Sequence, residues 1–217
     1  GGMESMSNIP LIFSREMTRW LVGQSRRRSW WRKLAGFSGF RPRFLKPIAA
    51  IERGLTDPVC GLNMGQTAEV LAQDFSISRD RQDEFALASH LRAIEARRSG
   101  FFDEEIVAVE VSGQSVSEDI GPREGQSLEA LAKLRPIFEP GTGSVTVGNS
   151  CPITDGAAAV VLARPETAVA RGIEPLGYMT AWAYAGCDPS RMGLGPVHAT
   201  ARLLEHTGLS LSDFDLV

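Results

Sequence analysis

The chain has 217 residues, 43% of them hydrophobic, and a formal net charge of −3. That length can bury a core in one or two domains, and no apolar run approaches the ~18 residues of a membrane-spanning helix. Cys60, Cys151 and Cys187 show neither metal-ligand spacing nor a disulfide framework, which reads as a reducing compartment, and no signal-peptide pattern is visible.

Residues 1–10 read as a strand end and a turn closed by Pro10. Residues 14–47 hold ten basic residues against one acid, Glu16, so this stretch carries +9 and the remainder −12. Such segregation is informative about partners. Ile12, Met17, Trp20 and Leu21 recur at helical spacing, predicting an amphipathic helix near 14–24 and a second over 28–36. Gly36, Gly39, Pro42 and Pro47 break the helical pattern in the rest of the block.

Residues 65–75 are helical by pattern, with Ala68, Leu71 and Phe75 on one stripe behind Met64. The next helix starts at an N-cap Ser78 and stops at Gly100, with Phe85, Ala88, Leu91 and Ile94 as its buried face. Residues 104–111 alternate like a strand, 112–126 read as loop, and 127–134 as a short helix ended by Pro136. SVTVGNS then reads as a strand leading into a turn. TDGAAAVVLA (154–163) reads as a strand covered on both faces. Next comes a helix with Pro165 in its first turn and Gly172 at its end. EPLGYMTAWAYAG suggests another strand, GPVHATARLLEHTGLS a helix, and DFDLV an opening strand. This alternation predicts a sheet layered with helices. The start without an initiator Met and the abrupt close on DFDLV read as the ends of a fragment.

Chemistry-bearing constellations are few. Cys151 in GNSCPITDG could serve as a nucleophile only beside a base, and His90, His198 and His206 all fall on predicted helices far from it in sequence. A small buried thiol in a turn is the plainer reading. Arg123, Lys133 and Arg135 suit phosphate or simple solvation. Gly141, Gly143 and Gly148 lack the Gly-Lys-Ser/Thr of a phosphate loop. The basic block reads as a solvated helical face, a membrane-surface contact, or, least favoured beside a remainder of −12, a nucleic-acid contact.

Seven phrases, taken together and in order, resemble the thiolase family: GGMESMSNIP, GLTDPVCGLNMGQTAEVLA, ISRDRQDEFALASHLRA, LAKLRPIF, SVTVGNSCPITDGAAAVVLA, DPSRMGLGPVHAT and DFDLV. The resemblance is nearest to the β-subunit type of the fatty-acid-oxidation trifunctional complex, whose long insert begins near a Ser-Arg-x-Met phrase, as Ser14–Met17 does here. It implies an α/β fold of layered αβαβα type, present in part, with an α-rich loop domain. Residues 1–10 would end the N-terminal half. Residues 11–143 would be the loop domain, including the basic amphipathic insert 12–47. Residues 144–217 would be a return strand and the start of the C-terminal half.

The implied activity is 3-ketoacyl-CoA thiolysis in fatty-acid β-oxidation, by covalent catalysis on a cysteine with oxyanion holes. The family's nucleophilic cysteine precedes the Gly-Gly-Met-Glu-Ser phrase, and its histidine and second-cysteine motifs come after the strand that DFDLV opens, so no catalytic residue and no metal ligand is expected among these 217. By motif, Met64, Arg123, Phe138, Val147, Gly148 and Met192 match positions lining the coenzyme A and substrate channel. Cys151 stands where many relatives have a serine that contacts coenzyme A, and Asn63 replaces a histidine common in biosynthetic members. Coenzyme A is a substrate here, and no separate cofactor is implied. Arg15, Arg19, Trp20, Arg26, Arg27, Arg28, Trp30, Trp31, Arg32 and Lys33 are the expected membrane or partner contacts. The implied partners are acyl-CoA or CoA, a second copy of the intact protein, a hydratase/dehydrogenase subunit and a peripheral membrane surface, with no nucleic acid. The location would be cytoplasmic or membrane-peripheral, mitochondrial in a eukaryote. Two alternatives stay open: a non-catalytic coenzyme A- or membrane/partner-binding module, and a biosynthetic acetoacetyl-CoA thiolase.

Overall fold

The computed structural model describes all residues, Gly1–Val217. Eight α-helices carry most of the order: α1 Arg15–Ser25, α2 Trp30–Gly36, α3 Ala50–Gly54, α4 Met64–Asp74, α5 Arg79–Arg98, α6 Leu128–Ala132, α7 Pro165–Ala170 and α8 Gly195–Thr207. Six short strands, β1 Gly2–Ser5, β2 Leu11–Ile12, β3 Ile48–Ala49, β4 Val109–Val111, β5 Gln114–Val116 and β6 Asp155–Ala158, form three antiparallel two-stranded ribbons.

Local chemistry explains the helices. The hydroxyls of Ser14, Ser78 and Ser127 accept the N–H groups of Met17, Arg81 and Ala130. Asn63 and Gln66 form a reciprocal capping box on α4. Gly208 takes a left-handed φ of 72° just past α8, where a side chain would be strained.

The ribbons are where the structure departs from expectation. The strand expected over 104–111 is confined to Val109–Val111, because its partner Gln114–Val116 comes from the expected loop. Ser112 and Gly113 both have positive φ (52° and 79°), the geometry of a two-residue hairpin turn. The strand expected over 154–163 is paired only over Asp155–Ala158, with β1, and beyond it Val161 is 97% exposed. No helix layer covers it, so the apolar run has nothing to bury against. Neither EPLGYMTAWAYAG nor DFDLV joins a ladder. The former is tied back to α8 through Arg202 Nη1, which donates to the Tyr184 carbonyl at 2.7 Å.

The buried faces differ too. Apolar residues are spread nearly evenly round α5. Phe85 is 76% exposed and Leu91 half exposed, while Asp83 and Ile94 are buried. On α4, Thr67 and Glu69 are buried and Phe75 is exposed. The core therefore sits where α4, α5 and α6 meet residues 137–150, and it is organised by polar side chains as much as by apolar ones.

The β1–β6 ribbon has its own tie. Ser7 donates to Asp155 from Oγ at 2.5 Å and from N–H at 2.8 Å. These bonds, the hydroxyl's foremost, hold the Asp155 carboxyl below its usual range. A depressed pKa means the contribution is present above the unfolded value and is lost as pH falls through the folded one. Acidification below the usual carboxylate range should thus speed hydrogen exchange at the Ser7 amide before it affects the α4–α5 core. Equal acceleration at both places would count against this tie.

Candidate functional site

Of the residues that the resemblance ties to coenzyme A, Met64 starts α4, and Phe138, Val147, Gly148 and Cys151 fall in the segment 138–151. Asp57 shapes the approach to α4. Its carboxylate accepts the N–H groups of Cys60 at 3.0 Å and Val59 at 2.7 Å, and these bonds, Cys60's first, lower its pKa. An isolated bridge between Thr56 and Asn63 closes the loop and delivers Met64 to the helix start, half-buried. The half-buried Phe138 lies directly on Gly65, where a Cβ would come within 2.1 Å of a ring carbon.

Residues 144–150, expected as a strand leading into a turn, pair with no strand: 144–146 run against side chains, and 147–150 form the turn. Glu69 is 1% exposed. Its carboxylate accepts Val145 N–H at 2.8 Å, Ser144 N–H at 2.9 Å and Ser144 Oγ at 3.0 Å. Asn149 Oδ1 accepts Thr146 N–H at 2.7 Å, and its Nδ2 donates to Asp83 at 3.0 Å and to the Ser144 carbonyl at 3.1 Å. Asp83 in turn pairs with Arg79 at 2.7 Å, whose other nitrogen reaches the Leu131 carbonyl. Gln82 Nε2 donates to Ser144 Oγ at 2.8 Å. Buried backbone donors must find partners, and here side chains of α4 and α5 take the place of a neighbouring strand. The knot holds Val147 exposed and Gly148 against Leu131 and Leu134.

The other expected site residues are more scattered. Cys151 is an exposed free thiol just past this segment, not a buried one in a turn. Arg123 is exposed. Its backbone N–H donates to His90 Nδ1 at 3.3 Å, and its guanidinium makes no ion pair. Its loop is anchored by Glu124 to Arg97 and Arg98. Met192 lies in the 3-10 segment Pro189–Leu194, which packs on α4. Arg191 reaches Asp74 at 2.6 Å and Asp188 at 3.0 Å, and those partners, Asp74 first, raise its pKa. Gly193 faces Leu71 of α4. Sequence reasoning missed Glu69, Asp83 and Asn149. The available signal was Glu69 itself, the one acid in the small apolar run TAEVLA.

The family description "Thiolase, N-terminal domain" matches residues 1–166, and "Thiolase, C-terminal domain" matches residues 173–217. The chain belongs to the thiolase family. Among curated relatives, a 3-ketoacyl-CoA thiolase of Erwinia tasmaniensis is 38% identical and one of Yersinia pestis 39%, each over 220 aligned residues, all of this chain and 50% of the relative. This thiolase chain thus spans about half the length of the curated relatives it matches. Its fold matches the crystal structure of Bacillus anthracis acetyl-CoA acetyltransferase with a TM-score of 0.82 at 36% identity, covering 100% of this chain and 50% of that one. It matches human mitochondrial 3-ketoacyl-CoA thiolase in complex with CoA with a TM-score of 0.80 at 34% identity, covering 99% and 49%.

The basic block is the second candidate site. The ribbon β2–β3 pairs Leu11 with Ala49 and Ile12 with Ile48, so the insert leaves and returns at one place. Trp20, expected as a surface contact, instead centres a small aromatic core. Its ring meets Phe37 at 5.4 Å and Phe40 at 5.1 Å, and its Nε1 donates to the Gly36 carbonyl at 3.1 Å. Arg27 is likewise engaged, donating to the Arg32 carbonyl at 2.6 Å. Trp30 and Trp31 are exposed and stacked at 3.6 Å. Arg15, Arg19, Arg26, Arg28, Arg32 and Lys33 are exposed and make no ion pair; in the whole block only Arg43 has one, with Glu16 at 3.2 Å. No helix of the chain is long and apolar enough to cross a membrane.

Proposed function

We propose that these residues form the coenzyme A-holding part of a 3-ketoacyl-CoA thiolase, which converts 3-ketoacyl-CoA and CoA into acyl-CoA and acetyl-CoA in fatty-acid degradation. The observation that carries the reading is the packing of Phe138 on Gly65, next to Met64, with Gly148 in the segment clamped by Glu69 and Asn149, in a chain that matches thiolases over its whole length. In this reading Met64 and Phe138 line the apolar arm of the ligand, Val147 and Gly148 bring backbone close to it, and Met192 approaches from the α8 side. Cys151 takes a polar contact position, and Arg123, with a free guanidinium, is available to the nucleotide phosphates. The chain's part in the chemistry is binding and orientation, which contribute by holding the thioester in reacting geometry.

The names of the relatives favour the degradative direction, while the Bacillus neighbour keeps the biosynthetic one as a second reading. Asn63 bears on this choice, because it is committed to capping α4. The proposed protein acts as an oligomer, and its basic insert contacts an anionic surface or an acidic partner such as a hydratase/dehydrogenase subunit.

The 217-residue polypeptide alone should not thiolyse acetoacetyl-CoA or longer 3-ketoacyl-CoA above background, because no nucleophile–base pair is assigned within it. Turnover would overturn the placement of catalysis outside these residues. A longer protein containing them should turn over 3-ketoacyl-CoA in the presence of CoA. It should lose affinity for CoA on Phe138→Ala, and failure of both would sink the thiolase reading.

A further inference from the structure

Between β5 and α6 the chain forms no ladder and no helix. Arg123 stands in that stretch, and its loop has one internal backbone bond near it, from the Gln126 N–H to the Arg123 carbonyl at 3.3 Å. What fastens the loop is a face of α5. At about 100° per residue, His90 and Arg97 lie on one side of this helix, with Arg98 at the edge. Ile94, on the same side, is buried, so the face is packed.

Residues 118–131 are held along that helix. Arg97 Nη1 faces Glu118 at 3.8 Å and donates to the Asp119 carbonyl at 3.5 Å. Its Nη2 reaches Glu124 at 3.2 Å, and Arg98 reaches the same carboxylate at 3.3 Å. His90 Nδ1 accepts the Arg123 N–H at 3.3 Å. Further back, Arg79 donates to the Leu131 carbonyl of α6. From Arg79 to Arg97 the helix runs about 27 Å, so the stretch is pinned at several points and not at one.

The same contacts arrange the charge beside Arg123. Glu124 is its neighbour in sequence. That carboxylate is shared by Arg97 and Arg98, and the Arg123 guanidinium makes no ion pair. Its donor fork is therefore open to a phosphate.

We propose that His90, Arg97 and Arg98 are positioning residues for the nucleotide of coenzyme A: they fix the Arg123 loop and draw Glu124 aside, leaving Arg123 ready for a phosphate. This deepens the coenzyme A reading above and rests on it. The three act through Arg123. A loop that must be ordered during binding lowers affinity by the fraction of time it is in place.

The test is isothermal titration of the 217-residue chain with CoA and with pantetheine, which lacks the nucleotide. Amide hydrogen exchange at Arg123 is followed alongside. His90→Ala/Arg97→Lys keeps the positive charge that attracts CoA but removes the acceptor and the arginine fork. It should speed exchange at the Arg123 amide and weaken CoA by about tenfold, with the loop in place about a tenth of the time. Affinity for pantetheine should not change. His90→Asn, whose Oδ1 is an acceptor in place of Nδ1, should keep both the amide protection and the CoA affinity. Arg97→Gln/Arg98→Gln should also weaken CoA. Adding Glu124→Gln should recover part of that loss, because the released carboxylate no longer competes for Arg123. Equal weakening toward CoA and pantetheine places the contacts in general folding and overturns the proposal. Faster exchange at Arg123 with CoA affinity intact, or no change in either, overturns it while the coenzyme A reading stands. Absence of CoA binding by the unaltered chain overturns the coenzyme A reading and this proposal with it.

Discussion

Glu69→Ala should destabilise the chain by about 2–5 kcal/mol, the largest loss expected from any single carboxylate. Two backbone N–H groups, of Ser144 and Val145, point at this carboxylate in a site that is essentially closed to water. Removing it strands both, and each buried unsatisfied donor costs about 1–3 kcal/mol. The Ser144 hydroxyl also loses the acceptor of its proton, because Gln82 Nε2 donates to that hydroxyl and cannot replace the carboxylate. Glu69→Gln should cost about half as much. Its amide oxygen can still accept one N–H, but its NH₂ group would face donors. The comparison is made by urea denaturation, reading the midpoint at constant slope. An unchanged midpoint for Glu69→Ala would show that the 144–150 segment is held some other way. The same geometry sets the functional consequence. In a catalytically complete protein carrying these residues, both variants should raise the KM for CoA more than they lower kcat, if the segment binds and does not react, as proposed above.

Gly65→Ala should also destabilise, against the ordinary expectation. An exposed helical glycine replaced by alanine gains about 1 kcal/mol from backbone entropy. At this position the new Cβ would come within 2.1 Å of a Phe138 ring carbon. Overpacking of this kind costs about 1–3 kcal/mol, so the sign reverses unless the ring can move away. If it does move, the ligand channel proposed to contain Phe138 is altered, and coenzyme A affinity falls. Removing the ring relieves the clash, so Gly65→Ala should be neutral or stabilising in a Phe138→Ala background. A double-mutant cycle isolates that coupling. Additive effects of the two substitutions would mean that Gly65 and Phe138 do not share the space the structure gives them.

Both predictions concern contacts between residues about seventy positions apart, and such contacts divide what could be read from what could not. The helices were legible because their causes are local. Ser78 caps the helix that ends before Gly100, Pro165 starts the short one before Gly172, and periodicity placed most of the others, although the one-turn helix Ala50–Gly54 carried no signal and was not expected. The segregation of charge into residues 14–47 is a property of composition. Membership of the thiolase family rests on ordered phrases, each a run of neighbours. The strands fared worse, because a strand is defined by its partner. The alternation in 104–111 was real, yet only three of its residues found a ladder, and they found it in SGQSV.

The candidate site was half legible. Met64, Phe138, Val147 and Gly148 could be marked by motif, but not the reason they stand together. Glu69 in sequence is an acid on an amphipathic helix, a residue type almost never fully buried unless paired. Only the fold brings the donors of Ser144 and Val145 to it, which replaces lost hydration and makes burial tolerable. The aromatics of the insert teach the same lesson. Trp20, Trp30 and Trp31 are alike in composition and share one basic context. Packing turns the first inward, because Phe37, Phe40 and the Gly36 carbonyl supply it with a core and an acceptor. The other two are left facing solvent. Which segments are helical, where the positive charge lies and which family the chain joins are all written in the linear order of residues, since each depends on neighbours along the chain. Which polar groups are buried and which apolar groups are not was settled by the folded arrangement, since burial is set by what arrives from elsewhere.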